Sequence, residues 1–322
     1  MFSREYLLKL SKDTGFLPQG LQKQMTLLDL LREISRHPLL RTKFALKGGT
    51  ALNLFWLPLP RLSVDIDLNY IASVDRGTML KDRPLVESEL RKLIESRSIT
   101  VQFAPTDEHA GAKWRLRAPS AFGGSFALEF DLNYLMRVPI GSISSKRPYP
   151  LDEDYSFSFN SVSFEELFGG KITALLERSA ARDLYDVAML SKTSVDHDLA
   201  ALRKAQILIG VTSRKDWRTV DLHTIDSIDQ KMIADELTPV LRQDEAPKLE
   251  AMKSEAQKGL DQILNRTESE VEFLNRFLEQ GEYEPELLFD AGQAQVLKNH
   301  PAVLWKLQNL RKFKGLDRDV NI

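Results

Sequence analysis

Apolar residues recur at three- and four-residue steps through Leu21, Met25, Leu28, Leu31 and Ile34. That spacing gives one stripe along a helix expected over residues 21–37. His37-Pro38 closes it, because the residue before a proline is pushed out of helical geometry. Phe44 to Lys47 reads as a short strand, Ala51 to Trp56 as a short helix and, beyond Pro58 and Pro60, Arg61 to Asn69 as a second strand. Helical spacing returns from Pro84 to Ile94. Ile99 to Phe103 and Ala112 to Arg117 read as strands, and Ala118 to Gly124, with its proline and glycines, as a hairpin connection. In the strand expected from Ser125 to Tyr134, Phe126, Leu128 and Phe130 alternate with Ala127, Glu129 and Asp131. Large apolar groups therefore take one face of that strand and acids the other.

The texture changes after Pro148-Tyr149-Pro150. Helical patterns dominate from there, over residues 164–178, 181–191, 198–208 and 247–260. A last helical segment starts near Pro285 and Leu287 and is followed by Val303, Leu304, Leu307 and Leu310 at helical spacing. The expected architecture is α+β: a mixed-sheet domain over residues 1–155 and a helical domain over 156–322.

Composition narrows the chemistry. Hydrophobic residues make up 43% of the 322 and charged residues 28%, the balance of a soluble globular chain. A formal net charge of −2 gives no global field for a polyanion, although a local patch remains open. The absence of cysteine excludes disulfides, thiolate nucleophiles and sulfur-based zinc sites. No apolar run reaches the length of a membrane span, and Met1-Phe2-Ser3-Arg4-Glu5 does not open a signal peptide, so a cytoplasmic protein is expected.

Three clusters carry candidate chemistry. Lys47-Gly48-Gly49-Thr50 joins a strand to a helix; the glycines let backbone N–H groups turn toward an anion, and Thr50 adds a hydroxyl and a candidate helix cap. An ordinary strand-to-helix turn fits the same residues. Asp65 and Asp67, two apart on a strand, project from one face as hard oxygen donors of the kind magnesium takes when shared with substrate phosphates. A metal-bound nucleotidyl transfer needs a further acid, for which Asp131 is the candidate and Glu129 its same-face alternative. A solvated edge strand is the competing reading, weakened because acids are poor strand formers. The third cluster runs from Lys171 to Arg178 and on through Arg182-Asp183-Leu184-Tyr185-Asp186. Lys171 and Arg178 share a helical face and suit triphosphate oxygens, and Tyr185 suits packing near a base or ribose; a salt-bridged surface helix explains the cluster equally well.

At these residues the chain resembles the AbiEii/AbiGii toxin family, distant members of the DNA polymerase β-like nucleotidyltransferases. The resemblance rests on Lys47 to Leu52, Arg61 to Asp67, Glu129 to Tyr134 and Lys171 to Asp186, with His300-Pro301 and Trp305-Lys306-Leu307 near the C-terminus. It implies that Gly48, Gly49 and Thr50 hold phosphates and that Asp65, Asp67 and Asp131 bind magnesium, or manganese in its place. It further implies that Lys171 contacts the triphosphate, that Asp186 positions nucleotide or handles a proton, and that Arg178, Arg182 and Asp183 belong to the nucleotide site. The helical domain is then expected to complete the active-site cleft. Thr50 stands where serine is usual in the wider superfamily, and the gap from Thr50 to Asp65 is long.

The function this implies is transfer of NMP from an NTP to an acceptor, with the 3′ end of tRNA as the expected acceptor, translation blocked, and a cognate antitoxin as partner. Two other functions compete: a small-molecule nucleotidyltransferase of the antibiotic-modifying type, and a non-catalytic scaffold that tolerates loss of the acids. The basic run Lys306, Arg311, Lys312, Lys314 and Arg318 is a candidate RNA contact or a solvated helix face.

Overall fold

The computed structural model describes residues 2–104, 111–151, 156–193, 195–220 and 222–316. By its internal contacts the chain divides into two compact units, Met1–Ser163 with Gln230–Lys248, and Phe164–Asp229 with Leu249–Ile322. Residue 155, the expected boundary, lies outside the described residues. A single cut along the sequence does not anticipate the excursion of 230–248 into the first unit.

The first unit opens with α1 (Arg4–Thr14) and α2 (Pro18–Arg36). All five stripe residues of α2 named above are buried, so its period of 3.6 reports the core. The sheet has seven strands: β1 (Phe44–Lys47), β2 (Asp65–Tyr70), β3 (Thr100–Phe103), β4 (Gly111–Pro119), β5 (Ser125–Asn133), β6 (Ser144–Lys146) and β7 (Phe159–Ser161). Their order is β3-β4-β5-β2-β1-β7-β6. β2 pairs antiparallel with β1 and parallel with β5, while β4 and β5 form the antiparallel hairpin expected from their sequence.

One face of this sheet is apolar. Leu46, Ile66, Leu68, Trp114, Leu116, Phe130 and Leu132 are all buried on it. The helix α4 (Arg76–Ser96) covers that face: Tyr70 donates its hydroxyl proton to Asp82 at 2.7 Å, and the Arg91 guanidinium lies 5.7 Å from the Trp114 ring centre. Strand alternation leaves the opposite face to Lys47, Asp65, Asp67, Lys113, Glu129 and Asp131. Gln230–Lys248, which contains the short α8 (Gln230–Met232), ties back to the first unit. Leu62 N–H donates to the Val240 carbonyl, and Gln243 N–H to that of Gly15, each at 2.8 Å.

Four expectations change in this unit. The short helix α3 (Gly48–Ala51) starts at the first glycine instead of at Ala51, and widens into a π-helical turn over Leu52–Trp56. Its N-cap is Lys47, so Thr50 lies inside the helix and is not its cap. β2 begins only at Asp65, because Leu62 and Ser63 direct their N–H groups elsewhere. Gln24 accepts the Ser63 N–H at 2.8 Å. The helix α4 begins eight residues before its first expected position, Pro84 (76 against 84), where Asp75 accepts the Thr78 N–H as N-cap.

The second unit is helical: α5 (Phe164–Arg178), α6 (Ala181–Ala188), α7 (Leu199–Gly210), α9 (Leu249–Leu264), α10 (Glu268–Asn275), α11 (Ala291–Leu297) and α12 (Pro301–Lys314). α5 and α7 cross closely at Gly169, where a Cβ would stand 2.8 Å from the Gln206 backbone nitrogen. Val303 and Leu307 bury the inner side of α12 while Leu304 is exposed; Arg318 lies outside the described residues. Among the described residues, no helix is long and apolar enough to cross a membrane.

Candidate active site

The polar face of the sheet is built by register. Lys47 stands opposite Asp67, Asp67 opposite Asp131, and Asp131 opposite Lys113. A single rung across four strands thus reads cation, acid, acid, cation. The next rung carries Asp65, Glu129 and Arg115. The expectation that Asp65 and Asp67 share a face with the acids of β5 matches this arrangement.

Gly48 abuts the rung. Its φ of +72° lies in the left-handed region, and a Cβ there would run into the Asp67 carboxylate. Glycine is required twice over, by backbone conformation and by the acid lying against it. Thr50 is fully buried; its Oγ1 is hydrogen-bonded to Ser63 Oγ at 2.8 Å and to the Asp65 carbonyl oxygen. Asn53 Nδ2 donates to the Gly49 carbonyl at 2.8 Å. These bonds fasten the glycine turn to the start of β2 and so fix where Asp65 leaves the backbone.

The electrostatics separate the two β5 acids. Lys113 Nζ lies 2.6 Å from Glu129 Oε2, and that bond, with the nearby charges of Asp131 and Asp65, pushes the lysine pKa upward. Glu129 is therefore already engaged. Asp131 is raised above the ordinary carboxylate value first by burial, then by the charges of Asp67 and Glu129, with Lys47 and Lys113 pulling it back. An acid destabilised in its charged form beside a second acid, even with two lysines at hand, still lacks positive charge. The donor set, carboxylate oxygens on adjoining strands, suits a hard divalent cation. Among the described residues, however, no three acidic or histidine side chains stand together as a finished metal cage.

The Lys171 cluster lies wholly in the second unit and forms a buried network. Lys171 Nζ is 3.0 Å from Asp183 Oδ1 and 2.8 Å from Asp186 Oδ2, and Arg178 Nε is 2.6 Å from Asp183 Oδ2. Asp183 and Asp186 are fully buried and Lys171 is buried, whereas the Arg178 side chain is 64% exposed. Burial would raise the Asp183 pKa, but the Lys171 charge and the Arg178 hydrogen bond outweigh it and hold it below its ordinary value. Tyr185 is buried as well, while Arg182 is half-buried. The spacing that suggested a surface helix therefore belongs to an internal ion-pair network.

Sequence reasoning missed the flanking cations Lys47 and Lys113 as members of the acid site. The two-residue period placed Lys113 on one side of β4, but only the pairing of β4 with β5 brings it to Asp131.

A protein-family profile described as "Nucleotidyl transferase AbiEii toxin, Type IV TA system" matches residues 29–266. Among solved structures, seven chains match. One is MenT4, a nucleotidyltransferase toxin from Mycobacterium tuberculosis H37Rv, with a TM-score of 0.64 at 16% identity over 96% of this chain and 99% of that one. At that identity the likeness speaks for the fold. No curated protein matches the chain.

Proposed function

Because this chain belongs to the AbiEii nucleotidyl transferase toxin family, we propose that it moves a nucleoside monophosphate from an NTP to the 3′ end of an RNA, with tRNA the expected acceptor. The observation that supports this reading most is the rung holding Asp67 and Asp131 side by side against the Gly48 backbone. Asp65, Asp67 and Asp131 are the residues that would hold magnesium, or manganese in its place. When bound, the ion would supply Lewis acidity at the α-phosphoryl group and lower the pKa of the attacking hydroxyl.

The chain's own residues do the rest by position and charge. Gly48 and Gly49 keep the backbone free of side chains where phosphates approach. Thr50 acts mainly by pinning that turn to the carbonyl of Asp65, since its hydroxyl is buried and already bonded. Lys171 is buried and bonded to Asp183 and Asp186, which hold its ammonium in one place; contact with the triphosphate is the role the family resemblance gives it, with Arg178 and Arg182 as secondary cations. Phosphoryl chemistry is catalysed mainly by positioning and by preorganised charge of this kind. A cognate antitoxin is the partner this reading carries.

The test is incubation with each α-labelled NTP, magnesium and total cellular RNA, followed by size separation. Label at transfer-RNA size supports the reading, and label confined to small molecules favours an antibiotic-type acceptor. Lys171→Ala, measured on folded protein, lowers NTP use more than RNA binding; the opposite pattern would assign Lys171 to the acceptor.

A further inference from the structure

We propose that Lys113 and Lys47 are resident counter-ions of the acid rung: they neutralise its carboxylates in the free protein, compete with the divalent cation, and turn to the triphosphate once that cation is bound. The inference rests on the metal reading above and assigns it two positioning residues.

The geometry starts from the sheet. The two lysines bracket the rung from opposite sides, Lys47 on β1 beside Asp67 and Lys113 on β4 beside Asp131. Both charges reach Asp131, and Lys113 also acts on Asp65 while bonded to Glu129 at 2.6 Å. The face thus carries the carboxylates Asp65, Asp67, Glu129 and Asp131 with one lysine at either flank. An ammonium and a divalent cation on one face repel each other and share the same negative field, so each weakens the other there. Lys113 is the one free to move: its side chain is 53% exposed, on a flexible four-carbon stem.

Ion and triphosphate then reinforce each other. A divalent ion on Asp65, Asp67 and Asp131 takes up the negative charge that the lysines face, and ammonium groups next to a metal favour a polyanion. Without the triphosphate, the same ammonium groups only repel the ion. The consequence is a split in sign. Removing a lysine strengthens binding of the bare ion and weakens binding of the metal–nucleotide complex. A lysine whose role is only to hold the sheet together would weaken both.

The experiment uses the full chain, the substitutions Lys113→Gln and Lys47→Gln, and two probes. Mn2+ alone is titrated by the loss of the free-ion electron paramagnetic resonance signal. Mant-labelled nucleoside triphosphates with each base in turn, in excess magnesium, are titrated by fluorescence. For Lys113→Gln the expected result is Mn2+ binding about fivefold tighter, the size of one unit charge acting on a divalent ion about 8 Å away in bulk water, with metal–nucleotide binding weaker by a similar factor. Lys47→Gln repeats the pattern. Mn2+ binding that is unchanged or weaker in both variants overturns the proposal. Asp67→Asn serves as the control: if it leaves Mn2+ binding untouched, the metal reading itself has failed, a result distinct from the lysines being irrelevant to a site that does bind the ion.

Discussion

Gly48, Lys171 and Asp183 each make a measurable claim. An alanine at Gly48 meets both a positive φ and the Asp67 carboxylate. Gly48→Ala is expected to cost about 1–3 kcal/mol of stability and to abolish transfer, read from thermal melting and label incorporation; full activity would mean that Asp67 need not lie where it does. Lys171→Met removes the ammonium shared by buried Asp183 and Asp186, Arg178 still bonding Asp183, a loss of about 3–5 kcal/mol, visible as a lowered Tm. Asp183 gives a pH dependence whose sign is fixed. Its folded pKa lies below the unfolded value, so its contribution is complete above about pH 4 and is lost as the pH falls through the folded value. The Tm gap between wild type and Asp183→Asn should therefore be widest near neutrality and close in acid; a gap independent of pH would contradict the network. Legibility was uneven among these residues. Asp65 and Asp67 stood out because acids are rare in strands. The ion pair of Glu129 with Lys113, the observation behind proposing Asp131 as the third acid, is brought about only by folding.

Strands β4 and β5 alternate because one face is buried and the other polar, the condition under which a period of two is visible in sequence, whereas Phe44, Ala45 and Leu46 of β1 are all buried. β6 and β7, three residues each, are too short to show any period, and β7 pairs in parallel with β1 through the register of Leu46 with Ser161. The helix α1 was missed because its apolar content is low; its signals were the N-cap Ser3 and the left-handed Gly15 that ends it. The early start of α3 was hidden by the two glycines, which read as a turn; the first does lie in the left-handed region, and the helix follows directly from it. The bonds of Thr50 can be tested. Thr50→Val keeps the volume but loses the contacts to Ser63 and Asp65, so it should cost about 1–3 kcal/mol and speed amide exchange at the start of β2. Unchanged exchange there would show that Thr50 does not hold the strand.

For the molecule as a whole, the α+β character and the change to helices could be read from the shift between periods of two and of 3.6. The return of residues 230–248 to the first unit could not, because backbone bonds such as Leu62 to Val240 leave no mark on side-chain pattern. A fragment ending at Ser163 should accordingly show faster amide exchange at Leu62 than the full chain, and equal protection would deny that segment a structural role. The family profile and the acid rung together point to nucleotidyl transfer, and the rung is the part that mutation can isolate. The most direct measurement compares label incorporation from NTP into RNA by Asp67→Asn, Asp131→Asn and Glu129→Gln, each with its Tm. The account predicts that the two aspartate variants melt within a few degrees of wild type yet transfer nothing, while Glu129→Gln keeps transferring. Wild-type incorporation by Asp67→Asn or Asp131→Asn would contradict it.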